Sequence, residues 1–187
     1  EAKDIKRLEI EKPEEPKKPV VAVHTREQRD AAKIIKSFYL QFPQYKWITF
    51  RDMRGLGRKE FAKTLKESCC SVWVDDISGF GTFPVESMKC GTPVLGKVPN
   101  MIPEWLTEDN GIWTYEGHRL PEFVATYLES WLEDAIPKEL LEAMSPIETK
   151  YNKAEQDIKL LEVFKGYIVK RKEDLEQHVE SLNNEVE

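Results

Sequence analysis

The sequence predicts an α/β fold, a Rossmann-like parallel sheet of about five strands with flanking helices, plus a long C-terminal helix. Three observations predict it. Short, continuously apolar runs alternate with stretches of helical periodicity, the mark of βαβ units with both sheet faces covered. Residues 71–96 read as strand, glycine loop, helix, glycine stop and strand. From Ile147 onward apolar residues recur at alternating spacings of three and four, the signature of a coiled-coil helix.

Residues 1–19 mix acids (Glu1, Asp4, Glu9, Glu11, Glu14, Glu15) with bases and carry Pro13, Pro16 and Pro19. That composition predicts a linker, extended near the prolines. Val20-Val21-Ala22-Val23 then reads as a buried strand, and Ala32, Ile35, Phe38, Tyr39 and Phe42 recur at helical spacing behind it. Tyr45 to Phe50 predicts a second strand, Arg58 to Glu67 a second helix and Ser71 to Val74 a third strand. After the glycine loop come strands at Pro93-Val94-Leu95 and Ile112-Trp113-Thr114. Leu120, Phe123, Val124, Tyr127, Leu128, Trp131 and Leu132 give a further helix one apolar face.

The expected organisation is therefore a linker over 1–19, a Rossmann-like domain over 20–136 and a C-terminal helical segment over 137–187. In that last segment the heptad a/d positions fall at 147, 151, 154, 158, 161, 165, 168, 172, 175, 179, 182 and 186, and only Lys165 and Lys172 among them are not apolar. A seam of this kind makes a homodimer through the C-terminal helix an expectation.

Composition narrows the function. At 187 residues the chain is long enough for one domain with a sizeable core and too short for two full Rossmann-like domains. It opens on Glu1 in a charged stretch, which suggests the C-terminal half of a longer protein. The net charge of −6 lacks the basic excess that a nucleic-acid surface needs, so no nucleic-acid partner is expected. No apolar run approaches the ~20 residues that span a bilayer, and the expected location is the cytoplasm. Three cysteines, two of them the adjacent Cys69 and Cys70, do not form a disulfide framework. His24, His118 and His178 lie far apart, so neither a metal site nor a cofactor is expected.

Chemistry concentrates in residues 75–91. Two carboxylates, Asp75 and Asp76, follow the third strand, then Gly79-Phe80-Gly81 and a short helix that Pro84 opens and Cys90-Gly91 closes. Glycines let the backbone turn sharply and approach a ligand. The first turn of the helix directs free N–H groups and a positive dipole end at whatever lies beyond the loop. A loop of this design at the carboxyl end of a parallel strand suits an anion. By itself it is also an ordinary strand-to-helix turn.

The stretch Ser78-Gly79-Phe80-Gly81-Thr82-Phe83-Pro84-Val85-Glu86-Ser87-Met88-Lys89-Cys90-Gly91-Thr92-Pro93-Val94 resembles, without a gap, the E-G-F-G-L-P-x-x-E-A-M-A-C-G-T-P-V pattern of the group 1 retaining glycosyltransferases, which have the GT-B fold. Pro103-Glu104 and Asn110-Gly111 stand where that family continues, so the resemblance covers about residues 20 to 135.

The resemblance implies the C-terminal, nucleotide-sugar-binding half of such an enzyme. Its partners would be the nucleotide-sugar donor and an N-terminal acceptor-binding domain of the same protein. It implies that Glu86, the second glutamate of the Glu-x7-Glu motif, binds the ribose hydroxyls; a first-turn Glu is also what a helix dipole favours. It implies that the backbone of Gly79, Phe80, Gly81, Thr82 and Phe83 meets sugar and diphosphate. The first glutamate is replaced by Ser78, which supplies no charge. Arg26 and Arg29 stand near the family's diphosphate-binding basic pair, although they equally read as a solvated helix start. One βα unit is missing before the third strand, which leaves a degenerate, non-catalytic interaction or oligomerisation module as the alternative.

Overall fold

The computed structural model describes residues 16–184, with side chains described through residue 178 apart from Glu148. Residues 1–15 of the expected linker, and the heptad positions at 179, 182 and 186, therefore lie outside the residues whose side chains are described. Five parallel strands make one sheet: β1 (Lys18–His24), β2 (Thr49–Asp52), β3 (Ser68–Trp73), β4 (Val94–Lys97) and β5 (Ile112–Thr114), in the order β2-β1-β3-β4-β5. The helices are α1 (Gln28–Gln41), α2 (Arg58–Glu67), α3 (Thr82–Lys89), α4 (Leu120–Leu132), α5 (Lys138–Lys150) and α6 (Lys153–Asn184). This is the expected Rossmann-like α/β class.

Helices α1 and α4 pack against each other on one face of the sheet, while α2 and α3 meet β1, β3 and β4 from the other. Val21, Val23, Phe38, Tyr45, Ile48, Val72, Leu95, Leu120, Val124 and Leu128 fill the first face. Every residue of β3 is buried, as a central strand covered on both sides requires. The Tyr127 hydroxyl donates to the Cys69 carbonyl at 2.9 Å, which gives a buried polar group a partner.

Several sequence expectations need correction, and the third strand is one: it runs Ser68–Trp73, beginning three residues before the expected Ser71. The face of α1 runs one residue ahead at its start: Ala31 and Ile34 are buried with Phe38, whereas Ala32 is exposed and Ile35 half-buried. Both residues of each pair are apolar, so periodicity alone could not choose between them. The second strand begins at Thr49, because Pro43–Tyr45 forms a single 3₁₀ turn that buries Tyr45. The C-terminal seam is not one helix, since α5 ends at Lys150 and Asn152 starts α6 anew: its side-chain oxygen accepts from the Ala154 N–H at 2.7 Å, an N-cap bond.

The chain separates into two compact units, residues 1–148 and 149–187. Within the second, α6 is a single helix of 32 residues that continues through Gly166. Ile158, Leu161, Phe164, Ile168 and Leu175 are all exposed on it.

Candidate functional site

The order β2-β1-β3-β4-β5 fixes where a ligand can enter. From β1 the chain crosses to β2 on one side and then returns past β1 to β3 on the other. The loops leaving β1 and β3 therefore diverge, and the crevice at a doubly wound sheet's carboxyl edge opens between them. Residues 24–29 lie on one side of this crevice and 74–82 on the other. One bond links the two loops: the Arg26 backbone N–H donates to Asp75 Oδ1 at 2.8 Å.

The glycine loop rests on aromatic side chains. Strand register sets His24 level with Trp73, Trp73 with Gly96, and Gly96 with Trp113. Trp73 and Trp113 thus flank a glycine in one row, and their rings meet at 6.4 Å. A Cβ on Gly96 would lie 2.7 Å from the Trp113 ring, so a larger residue there would collide with it. Trp105, from the segment between β4 and β5, completes the group at 5.9 Å from Trp73 and 6.1 Å from Trp113. Its indole N–H donates to the Phe80 carbonyl, while the Trp73 indole N–H donates to Asp75 Oδ2 at 3.1 Å.

The two loop glycines differ in their reasons for being glycine. Gly81, the residue before α3, has φ +70°, and a Cβ there would stand 2.9 Å from the Trp73 ring and 3.3 Å from Trp105. Both its conformation and its neighbours exclude a side chain. Gly79 has neither constraint, with a φ open to any residue and nothing within 4 Å of a Cβ position. The fold does not ask for glycine at 79.

The rest of the motif divides in the same way. Ser87 and Thr92 serve the fold: Ser87 Oγ lies 2.7 Å from Ser71 Oγ, and Thr92 Oγ1 donates to the Leu65 carbonyl at 2.6 Å. Gly91, at φ +64°, ends α3 with Gly91 N–H to Met88 O at 2.9 Å and Thr92 N–H to Ser87 O at 3.0 Å, the two bonds of a Schellman motif. Ser78 is buried. Phe83 turns inward between His24, 5.1 Å away, and Phe61, 6.2 Å away. Gly79, Phe80, Thr82 and Glu86 remain exposed. Helix α3 begins at Thr82, two residues before the expected start, so Pro84 occupies its third position, where an N–H would have had no partner in the helix.

Glu86 is exposed but crowded. Burial of its carboxyl raises the pKa, and the positive charges of Lys89 and Arg58 act against that rise. Arg58, the first residue of α2, is a neighbour that sequence reasoning missed; its faint signal was a base at a helix N-terminus, where the dipole disfavours it. Arg26 and Arg29 are exposed on the other side of the crevice, on the β1–α1 loop and in the first turn of α1.

Asp75 and Asp76 are already engaged within the protein. Both oxygens of Asp75 accept hydrogen bonds, and Asp76 pairs with Lys97. Among the described residues no three His, Cys, Asp or Glu side chains group as a metal would require. His24, at the end of β1, has its pKa lowered by burial, against the pull of Asp75 and Asp52.

A parallel α/β domain with a glycine loop at its switch point belongs to the Rossmann-like class. Among the solved structures that share this fold is the one titled "Crystal Structure of TarM", which superposes with a TM-score of 0.55 at 17% sequence identity over 83% of this chain. The chain spans 37% of the length of that protein. No protein-family profile matches the sequence, and no curated protein matches it. The likeness establishes the fold.

Proposed function

We propose that this chain is the donor nucleotide-sugar binding half of a glycosyltransferase, with catalysis requiring an N-terminal domain across the cleft. The observation that carries the proposal is Gly79. It is a glycine that the fold does not need, open to solvent at the carboxyl end of β3, in a loop whose other glycine is sterically fixed. The absent side chain leaves the loop backbone open to close approach by a ligand, at the carboxyl end of the strand where such folds bind one. The likeness to TarM, a glycosyltransferase, supports the reading at the level of fold.

In this reading the amides of Gly79 to Phe83 and the start of α3 receive the diphosphate, with Arg26 and Arg29 facing the same charge. Glu86 accepts hydrogen bonds from the ribose diol, which a carboxylate can take two at a time. Ser78 is buried and uncharged, so the sugar is held by groups other than the family's first glutamate. The test is NMR titration of the chain with UDP, GDP, ADP and their sugars. Binding of one of them, lost on Glu86→Ala, is the expected result. A chain that binds none of them refutes the donor role.

A second reading, an interaction module, is favoured by α6. Ile158, Leu161, Ile168 and Leu175 follow a heptad seam and are exposed, and such a seam is buried in a matching helix. We propose a second copy of this chain as that helix. Light scattering should give a dimer, converted to a monomer by Ile168→Glu; a monomeric parent chain ends the proposal.

A further inference from the structure

The Trp105 indole N–H donates to the carbonyl of Phe80. A trans peptide group is planar, with its C=O and the following N–H pointing in opposite directions. No peptide bond among the described residues is cis. Drawing the Phe80 carbonyl in toward the Trp105 indole therefore turns the Gly81 N–H away from it. That N–H has no acceptor among the described residues.

We infer that Trp105 is a positioning residue: its indole fixes the Phe80–Gly81 peptide plane so that the Gly81 N–H stands ready for an anionic oxygen, such as one of a nucleoside diphosphate. The ligand class rests on the donor-binding reading; the peptide orientation does not.

Trp105 is itself held firmly. The buried Asn110 side chain donates to the Trp105 carbonyl at 2.6 Å and accepts from the Thr107 N–H at 3.2 Å, which closes the turn that carries Trp105. The Asn100 N–H donates to the Asp76 carbonyl at 3.0 Å, joining the same segment to the glycine loop at a second point. With the Cα of Gly81 lying against Trp73 and Trp105, rotation of the peptide would break the indole bond and leave a buried donor unpaired. The anion site is formed before the ligand arrives, and its geometry originates in a residue that the ligand does not touch.

Trp105→Phe tests this, because it removes the indole donor and keeps an aromatic ring, although a smaller one, at position 105; the lost bulk acts on stability, which is why the diphosphate is compared with its nucleoside. Two measurements are made on the full chain. In ¹⁵N relaxation without any ligand, amides 79–82 should lose order in the variant while those of β3 do not; a loop as ordered as in the parent overturns the inference. In titration with the nucleoside diphosphate that the parent binds and with its nucleoside, the variant should lose about tenfold in affinity for the diphosphate alone. Equal losses for both compounds, or none, also overturn it. If the parent binds no nucleoside diphosphate, the donor reading fails and the relaxation result alone decides the role of Trp105.

Discussion

Substituting alanine at Gly79 and at Gly81 separates a glycine kept for the fold from one kept for a ligand. At position 81 an alanine must hold φ near +70°, which costs about 1–2 kcal/mol for an L-residue. Its methyl also presses on the Trp73 ring, where Cβ would stand 2.9 Å away. Trp73 is fully buried and cannot swing aside, so overpacking adds about 1–3 kcal/mol. Together these remove about 2–5 kcal/mol from a stability of about 5–15 kcal/mol, a melting temperature lower by roughly 4–20 °C. At position 79 an alanine meets open space in an ordinary conformation, and stability should stay within about 0.5 kcal/mol. Its methyl would nevertheless occupy the face offered to a ligand. Thermal melts followed by circular dichroism, combined with titration of the diphosphate that the parent binds, read both effects. Gly79→Ala should melt with the parent and bind more weakly, while Gly81→Ala melts early. Equal melting losses in the two variants, or undiminished binding by Gly79→Ala, would refute the division.

Two further outcomes follow from buried groups elsewhere in the domain. Lys17, whose ammonium donates to Thr92 Oγ1 at 2.6 Å, has its pKa lowered from 10.5 to about 8 by burial. The unfolded chain therefore holds a proton there between about pH 8 and pH 10 that the folded chain has released, so stability should rise with pH across that window. Lys17→Met should flatten the rise in urea denaturation measured from pH 7 to pH 10. The thiols of Cys69, Cys70 and Cys90 are free and buried, and burial pushes Cys90 up to about 11. A disulfide reagent at pH 7.5 should titrate them only after unfolding, and rapid labelling of the native chain would contradict their burial.

Much of the fold was legible because parallel strands buried on both faces have few alternatives in sequence. The segments Val20–Val23 and Ser71–Val74 carry no charge, and α2 over 58–67 and β5 over 112–114 begin and end where periodicity and glycine placed them. The two misplaced residues of α1 share a cause. Where two adjacent residues are equally apolar, as Ala31-Ala32 and Ile34-Ile35 are, the packing partner chooses the face. The heptad count failed at residue 151 for a different reason: the spacing passes over Asn152 undisturbed, while the backbone starts a new helix there because the asparagine side chain can cap it.

The candidate site was legible as a motif but not as an object. The sequence shows Gly79 and Gly81 as two members of one pattern, and nothing in the pattern tells them apart. The distinction comes from Trp73 and Trp105, 32 residues apart in the chain, whose rings lie where a side chain at 81 would go but leave 79 open. The same holds for Gly96, which is glycine because register places it between Trp73 and Trp113. A glycine-rich loop over small aliphatic residues could relax around a substitution or around a ligand of another shape. Over three interlocked indoles it cannot, so the geometry offered to a ligand is set by the protein in advance. On the donor-binding reading proposed above, Ser78 in place of a glutamate would bear on which sugar is held, while the loop that would meet the diphosphate keeps its geometry.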